Sequence, residues 1–190
     1  MLQPAHVGHL AMLRTLIRQG AQDGSFDREL GATSPEAEAF FAKLKRALVT
    51  GYFVEQDSRS GRLNTVAVPG YVFWPDDRHS GMPPVGFGLF RAIDDGYELW
   101  LAGLEFARRG DGHGRALLEA LLATSCGQET HVVRVQRASR YVPQVTHLLK
   151  SLSFTPVGDT ARLRWFVRRD APATLAARIR GAVNARRVPG

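Results

Sequence analysis

The run from Arg109 to Leu122, RGDGHGRALLEALL, has the most specific spacing in the chain. Glycines at 110, 112 and 114 let the backbone turn tightly and bring N–H groups close to an anion. The helical pattern that starts at Arg115 adds a dipole and unpaired first-turn donors. Together these features predict a phosphate-binding loop. A dinucleotide fingerprint fails on spacing, because the last position of GxGxxG falls on Arg115 or Leu117. A Walker loop fails because no Gly-Lys-Ser/Thr follows. The six histidines show no metal-ligand spacing, so no metal is expected. Cys126 has no basic neighbour in sequence to activate it, which argues against a nucleophile.

The loop needs a strand before it and a helix after it, and the sequence supplies both. PVGFGLFRAI from residue 84 and GYELWLAGLEF from residue 96 flank Asp94-Asp95-Gly96, a hairpin signal between two antiparallel strands. Residues 7–19 place Leu10, Leu13, Leu16 and Ile17 on one helical face. A second helix opens at Ser34-Pro35 and ends near Gly51. Residues 20–34 between them read as a loop that moulds a substrate entrance. Residues 64–74 read as one strand bent at Pro69-Gly70. HVVRVQ reads as a short buried strand, 143–152 as a helix, TPVG and RLRWFV as two strands, and the segment after Pro172 as a basic amphipathic helix. The order implies an α+β or mixed α/β fold, a mainly antiparallel sheet flanked by helices.

Arg109-Gly-Asp-Gly112-His-Gly114 resembles the R-x-x-G-x-G acyl-CoA signature of the GCN5-related N-acetyltransferase (GNAT) superfamily. HLLKSLSFTPVG, residues 147–158, is similar to that family's helix-to-strand segment, and PAHVGHLAML is similar to its first helix, with the usual first strand nearly absent. The resemblance covers residues 64–168. It implies a sheet whose fourth strand splays from the fifth to admit pantetheine. It also implies acetyl-CoA as co-substrate, backbone pairing with pantetheine around Leu104 and Phe106, and amides from Gly110 through Arg115 (Asp111, Gly112, His113 and Gly114 among them) on the pyrophosphate. Arg109 fills the motif's first position. The implied reaction is direct attack of a primary amine on the thioester.

That amine must lose a proton, and Glu98 is the candidate base, six residues before Leu104 with even spacing that predicts one shared sheet face. The family's tyrosine, the expected acid for the thiolate, falls on Leu149, which leaves Tyr141 and Ser139 as replacements or solvent as the proton source. Tyr71, Phe73, Trp74 and Trp100 fit a core better than an acceptor pocket. Asp76, Asp77, Asp94 and Asp95 fit turns or attraction of a cationic amine.

The chain has 190 residues, 44% hydrophobic and 23% charged, which suits one soluble domain and excludes a disordered or fibrous chain. A lone cysteine excludes an intrachain disulfide and fits a cytoplasmic setting. Neither a signal peptide nor a membrane span is read. The net charge of +7 lies wholly in the last thirty residues, where eight arginines face Asp170. We therefore divide the chain into a catalytic domain, 1–170, and a basic helical tail, 171–190. The tail keeps open an RNA-linked acceptor such as charged tRNA, and the missing tyrosine keeps open a non-catalytic CoA-binding module. The resemblance implies a small-molecule or peptide amine as acceptor and is compatible with a homodimer.

Overall fold

The computed structural model describes residues 1–56, 61–75 and 82–185. Its strands are β1 (Leu2–Pro4), β2 (Tyr52–Gln56), β3 (Leu63–Ala67), β4 (Gly70–Phe73), β5 (Gly86–Ile93), β6 (Gly96–Leu104), β7 (Thr130–Gln136), β8 (Phe154–Asp159) and β9 (Leu163–Arg168). The helices are α1 (Leu10–Gln22), α2 (Pro35–Thr50), α3 (His113–Leu122), α4 (Ser125–Gln128), α5 (Val142–Ser151) and α6 (Ala173–Ala185). The main sheet runs β1-β4-β5-β6-β7-β9-β8 and is antiparallel except where β6 meets β7. A separate ribbon pairs β2 with β3.

Local chemistry explains the ends of α2 and the turn from β5 to β6. Ser34 Oγ accepts from the Ala37 amide at 3.2 Å, Pro35 occupies the first turn of α2, and Gly51 closes the helix in a left-handed conformation. Asp94 and Asp95 form the two-residue turn between Ile93 and Gly96, which pair across the hairpin.

Four expectations are corrected. Residues 64–74 are not one bent strand: Pro69 cannot donate to a ladder, and the chain breaks there into β3 of the ribbon and β4 of the main sheet. β2, which the sequence reading omits, is the ribbon's other half. The first strand is present as β1, whose three residues pair with β4. Residues 20–34 are not wholly loop, because α1 continues to Gln22 and a 3-10 turn spans Arg28–Gly31.

The helices cover both sheet faces. On one, Leu13, Ile17, Phe41 and Leu44 of α1 and α2 pack over Phe87 and Leu89. On the other, Leu117, Leu121 and Leu149 of α3 and α5 pack over Phe90, Leu99 and Phe166. Helix α6 buries Leu175, Ile179 and Val183 against Val132 and Val167 on the α1/α2 side of the sheet. Truncating Leu175, which is 2% exposed, to alanine is expected to cost about 2–5 kcal/mol. An unchanged urea midpoint would show that α6 adds nothing to the fold.

Candidate active site

The site begins with a fault in β6. Leu101 lies opposite Leu89 of β5 and Leu99 opposite Phe90, so Trp100 is an extra residue without a partner. Its indole is held between Phe40 and Phe53, with ring centroids 5.7 and 5.6 Å away. The bulge bends β6 away from β7, and their parallel pairing is confined to Tyr97–Leu99 against Thr130–Val133. Beyond it the strands diverge into a cleft of about 590 Å³. Trp100–Leu104 form one wall, Val133–Gln136 the other, and Leu117 and Leu149 lie at its base.

The glycine loop stands at the mouth. Gly110 and Gly112 have φ of +105° and +80°, and Gly112 caps α3. The first helical bond of α3 runs from the Ala116 amide to the Gly112 carbonyl at 3.1 Å. Among the described residues, no backbone carbonyl accepts from the six amides of Gly110 through Arg115. A Cβ at Gly110 or Gly112 would meet nothing within 4 Å, so the space before these donors is open. Unsatisfied amides, the α3 dipole and open space together fit a phosphate group.

The side chains around the loop are tied down. Arg109 pairs with Asp23 at the end of α1, donates from Nε to the Leu104 carbonyl at 3.3 Å, and lies 4.9 Å from the Tyr141 ring centroid. Arg115 donates to Glu119 at 3.2 Å and to Ser151 at 3.1 Å. Phe106 is exposed, with Arg109 and Arg140 over its ring, and its carbonyl accepts from the Arg109 amide. Leu104 belongs to the core and also lines the cleft. Asp111 is exposed and His113 half-buried.

Residues 23–27, just after α1, span the wedge. Asp23 holds Arg109 on the β6 side; Ser25 Oγ lies 3.1 Å from Ser139 Oγ, and Asp27 accepts from Gln136 Nε2 at 2.9 Å, both on the β7 side. Burial alone would raise the Asp23 carboxyl, but hydrogen bonds from Ser25 and Arg109 outweigh it and hold the group below the usual carboxylate range. A depressed native pKa contributes stability that is present above the unfolded value and lost as pH falls through the native one. Asp23→Asn is therefore expected to lower the unfolding midpoint at neutral pH, with the gap to wild type closing in acid. A gap that stays constant with pH would reject this linkage.

Glu98 does not share a face with Leu104, because the bulge at Trp100 reverses the alternation. Leu104, Ala102 and Leu99 point to the α3/α5 side, whereas Gly103, Leu101 and Glu98 point to the other. Glu98 is 4% exposed and pairs with Arg134 of β7 through its Oε1 and the arginine Nε. Both line a second cavity of about 1060 Å³ between the β2–β3 ribbon and α6. Arg134 lines the cleft as well, so the two cavities meet at this ion pair.

No protein-family sequence profile and no curated relative matches the chain. Solved structures do. An acetyltransferase from Thermus thermophilus is 17% identical over 88% of this chain and 96% of its own, with a TM-score of 0.55. The PaiA N-acetyltransferase of Thermoplasma acidophilum, in complex with coenzyme A, is 16% identical over 88% and 98%, at 0.56. A GNAT superfamily phosphinothricin acetyltransferase from Sinorhizobium meliloti, in complex with AcCoA, is 17% identical over 88% and 86%, at 0.53. The chain has the GNAT fold.

Within this GNAT fold the structure brings Leu104, Arg109, Gly110, Gly114 and Tyr141 to one cleft and sets Glu98 across the sheet from it. Tyr141 stands just before α5, with the guanidinium groups of Arg109 and Arg140 4.9 and 5.0 Å from its ring centroid. Leu149 is 1% exposed and belongs to the core. Phe73 and Trp74 are buried. Asp94 and Asp95 accept from Arg178 of α6; Asp76 and Asp77 lie outside the described residues. Other arginines of the basic end are engaged too, Arg164 with Asp159 and Arg168 with Asp170 and the Gly127 carbonyl, while Arg186 and Arg187 lie outside the described residues. Among the described residues no group of three His, Cys, Asp or Glu side chains gathers to hold a metal, and no helix is long and apolar enough to cross a membrane. Sequence reasoning missed Arg134. Its signal was a charge inside the apolar run HVVRVQ.

Proposed function

We propose that the protein is an acetyl-CoA-dependent N-acetyltransferase acting on a primary amine. The observation that carries this reading is the meeting of two backbone surfaces in one cleft: the open amides of Gly110–Arg115 at its mouth and, along its wall, the edge of β6 that β7 leaves unpaired beyond Leu99, where Arg109 holds the Leu104 carbonyl. Six amides at a helix start suit a pyrophosphate. A strand edge suits the amides of pantetheine, which would pair there as a further strand does. Coenzyme A or AcCoA in structures of the same fold supports the assignment.

Acetyl-CoA supplies an activated thioester carbonyl when bound. The acceptor amine forms the new N–C bond as the C–S bond breaks. Glu98, at the junction of the two cavities, takes the proton from the amine and passes it to solvent, and the departing thiolate is protonated by solvent. Tyr141 stands at the mouth with Arg109, so its ring serves to position that arginine. Tyr141→Phe keeps the ring and is expected to leave turnover within about twofold, the scale of a change that removes no transition-state contact.

Thermal unfolding with and without acetyl-CoA tests the reading. A ligand bound only by the native state raises the midpoint. A rise, followed by release of free thiol in the presence of primary amines, is the expected result. No rise at saturating ligand overturns it.

A further inference from the structure

The second cavity carries its own chemistry. Among the described residues its lining sets Arg91, Arg134 and Arg178 against Glu55, Asp94 and Glu98. Each is in an ion pair: Arg91 with Glu55, Arg134 with Glu98, and Arg178 with Asp94. A lining of three positive and three negative groups has no net charge with which to concentrate a polycation.

The pair nearest the cleft is only half used. Arg134 donates to Glu98 from Nε alone, and neither Nη group meets an acceptor among the described residues. Glu98 accepts at Oε1 alone, and Oε2 receives no bond from them either. Neither Oε2 of Glu98 nor an Nη atom of Arg134 is fully shut off from solvent. The ion pair thus presents a free carboxylate oxygen beside a free guanidinium edge, side by side on a sheet floor where Arg134 lies 5.1 Å over the Trp165 ring.

We infer that the acceptor is an amine that carries a carboxylate close to its nitrogen, an α-amino acid, docked head-to-tail on the Glu98–Arg134 pair. The ammonium meets Oε2 of Glu98, and the carboxylate meets the Nη edge of Arg134, whose two parallel donors match a carboxylate. The logic is electrostatic. A simple amine approaching Glu98 also approaches Arg134, and attraction and repulsion largely cancel. A zwitterion turns both contacts favourable and leaves every charge in the half-buried site with a partner. The same argument disfavours polyamines and protein amino termini, whose neighbouring group is a neutral amide. This inference rests on the acetyltransferase reading and gives its acceptor a class.

Matched pairs test it: α-amino acids against their α-carboxamides, read as kcat/KM by thiol release and, separately, as the rise in unfolding midpoint with the acceptor candidate alone. The carboxylate form is expected to be favoured at least about thirtyfold in kcat/KM, the scale of a lost partner at a buried charge pair. It should also give the larger midpoint rise. Arg134→Met is expected to collapse or invert the preference, because Glu98 then attracts any amine, and Arg134→Lys is expected to keep part of it. Wild-type protein that acetylates carboxamides or polyamines as well as amino acids overturns the inference while the acetyltransferase reading stands. Absence of an acetyl-CoA midpoint rise overturns both.

Discussion

Gly112→Glu is expected to weaken acetyl-CoA binding at least about thirtyfold while the protein still folds, because it sets a like charge where the phosphates dock and fills the open space before the amides. Linkage converts this into a measurable change. At a ligand concentration a hundred times the wild-type Kd the native state gains about 2.7 kcal/mol, and a thirtyfold loss of affinity leaves about 0.9 kcal/mol. Gly112 has φ of +80°, so any side chain there strains the backbone by about 1–2 kcal/mol. Gly112→Ala carries the same strain without the charge, and it separates the two effects. It should lower the midpoint of the free protein as Gly112→Glu does, yet retain most of the rise with ligand. Equal retention by both variants would remove the pyrophosphate from this loop.

Glu98→Gln is the second large effect. It keeps the shape of the side chain and a hydrogen-bond acceptor for Arg134 but cannot take a proton from an ammonium. The expected loss in kcat/KM is about 10²–10⁴-fold, the range for a removed general base, with acetyl-CoA binding unchanged. Since Glu98 is buried against Arg134, the variant also weakens the counter-charge of a half-buried guanidinium and should be less stable. The double variant Glu98→Gln/Arg134→Met removes that stranded charge. It should recover stability, and turnover well below that of Arg134→Met alone would assign the chemical loss to Glu98 rather than to the missing arginine. Full turnover in the folded single variant would exclude Glu98 as the base.

The phosphate loop was legible because its information is local: glycines at 110, 112 and 114, then a helix start, need no knowledge of tertiary contacts. The hairpin at Asp94-Asp95 and the helix start at Ser34-Pro35 were legible for the same reason. Glu98 was assigned to the wrong face because counting by twos holds only in an unbroken strand. Leu99, Trp100 and Leu101 are all apolar, so nothing in their pattern marks the extra residue. The aromatic contacts of Trp100 with Phe40 and Phe53 come from residues sixty and forty-seven positions away. Strands β1 and β2 escape the sequence pattern because each is short and draws its stability from a partner, β4 or β3, and nothing in residues 64–74 but Pro69-Gly70 separates those two. Arg134 was visible as a misplaced charge, but its counter-ion sits thirty-six residues earlier on another strand.

The three-residue joint between β6 and β7 also bears on how the molecule folds. On one side of it β4, β5 and β6 form a meander of sequence neighbours; on the other, β7, β9 and β8 assemble around a hairpin. The halves meet through three residue pairs, against eight between β5 and β6 and five between β7 and β9. The sheet is therefore two cooperative units with a narrow weld. A ligand that touches both walls of the wedge would act as a second weld. Amide exchange in β8, none of whose residues lines the cleft, should slow when acetyl-CoA is bound, because opening either half alone would then require release of the ligand.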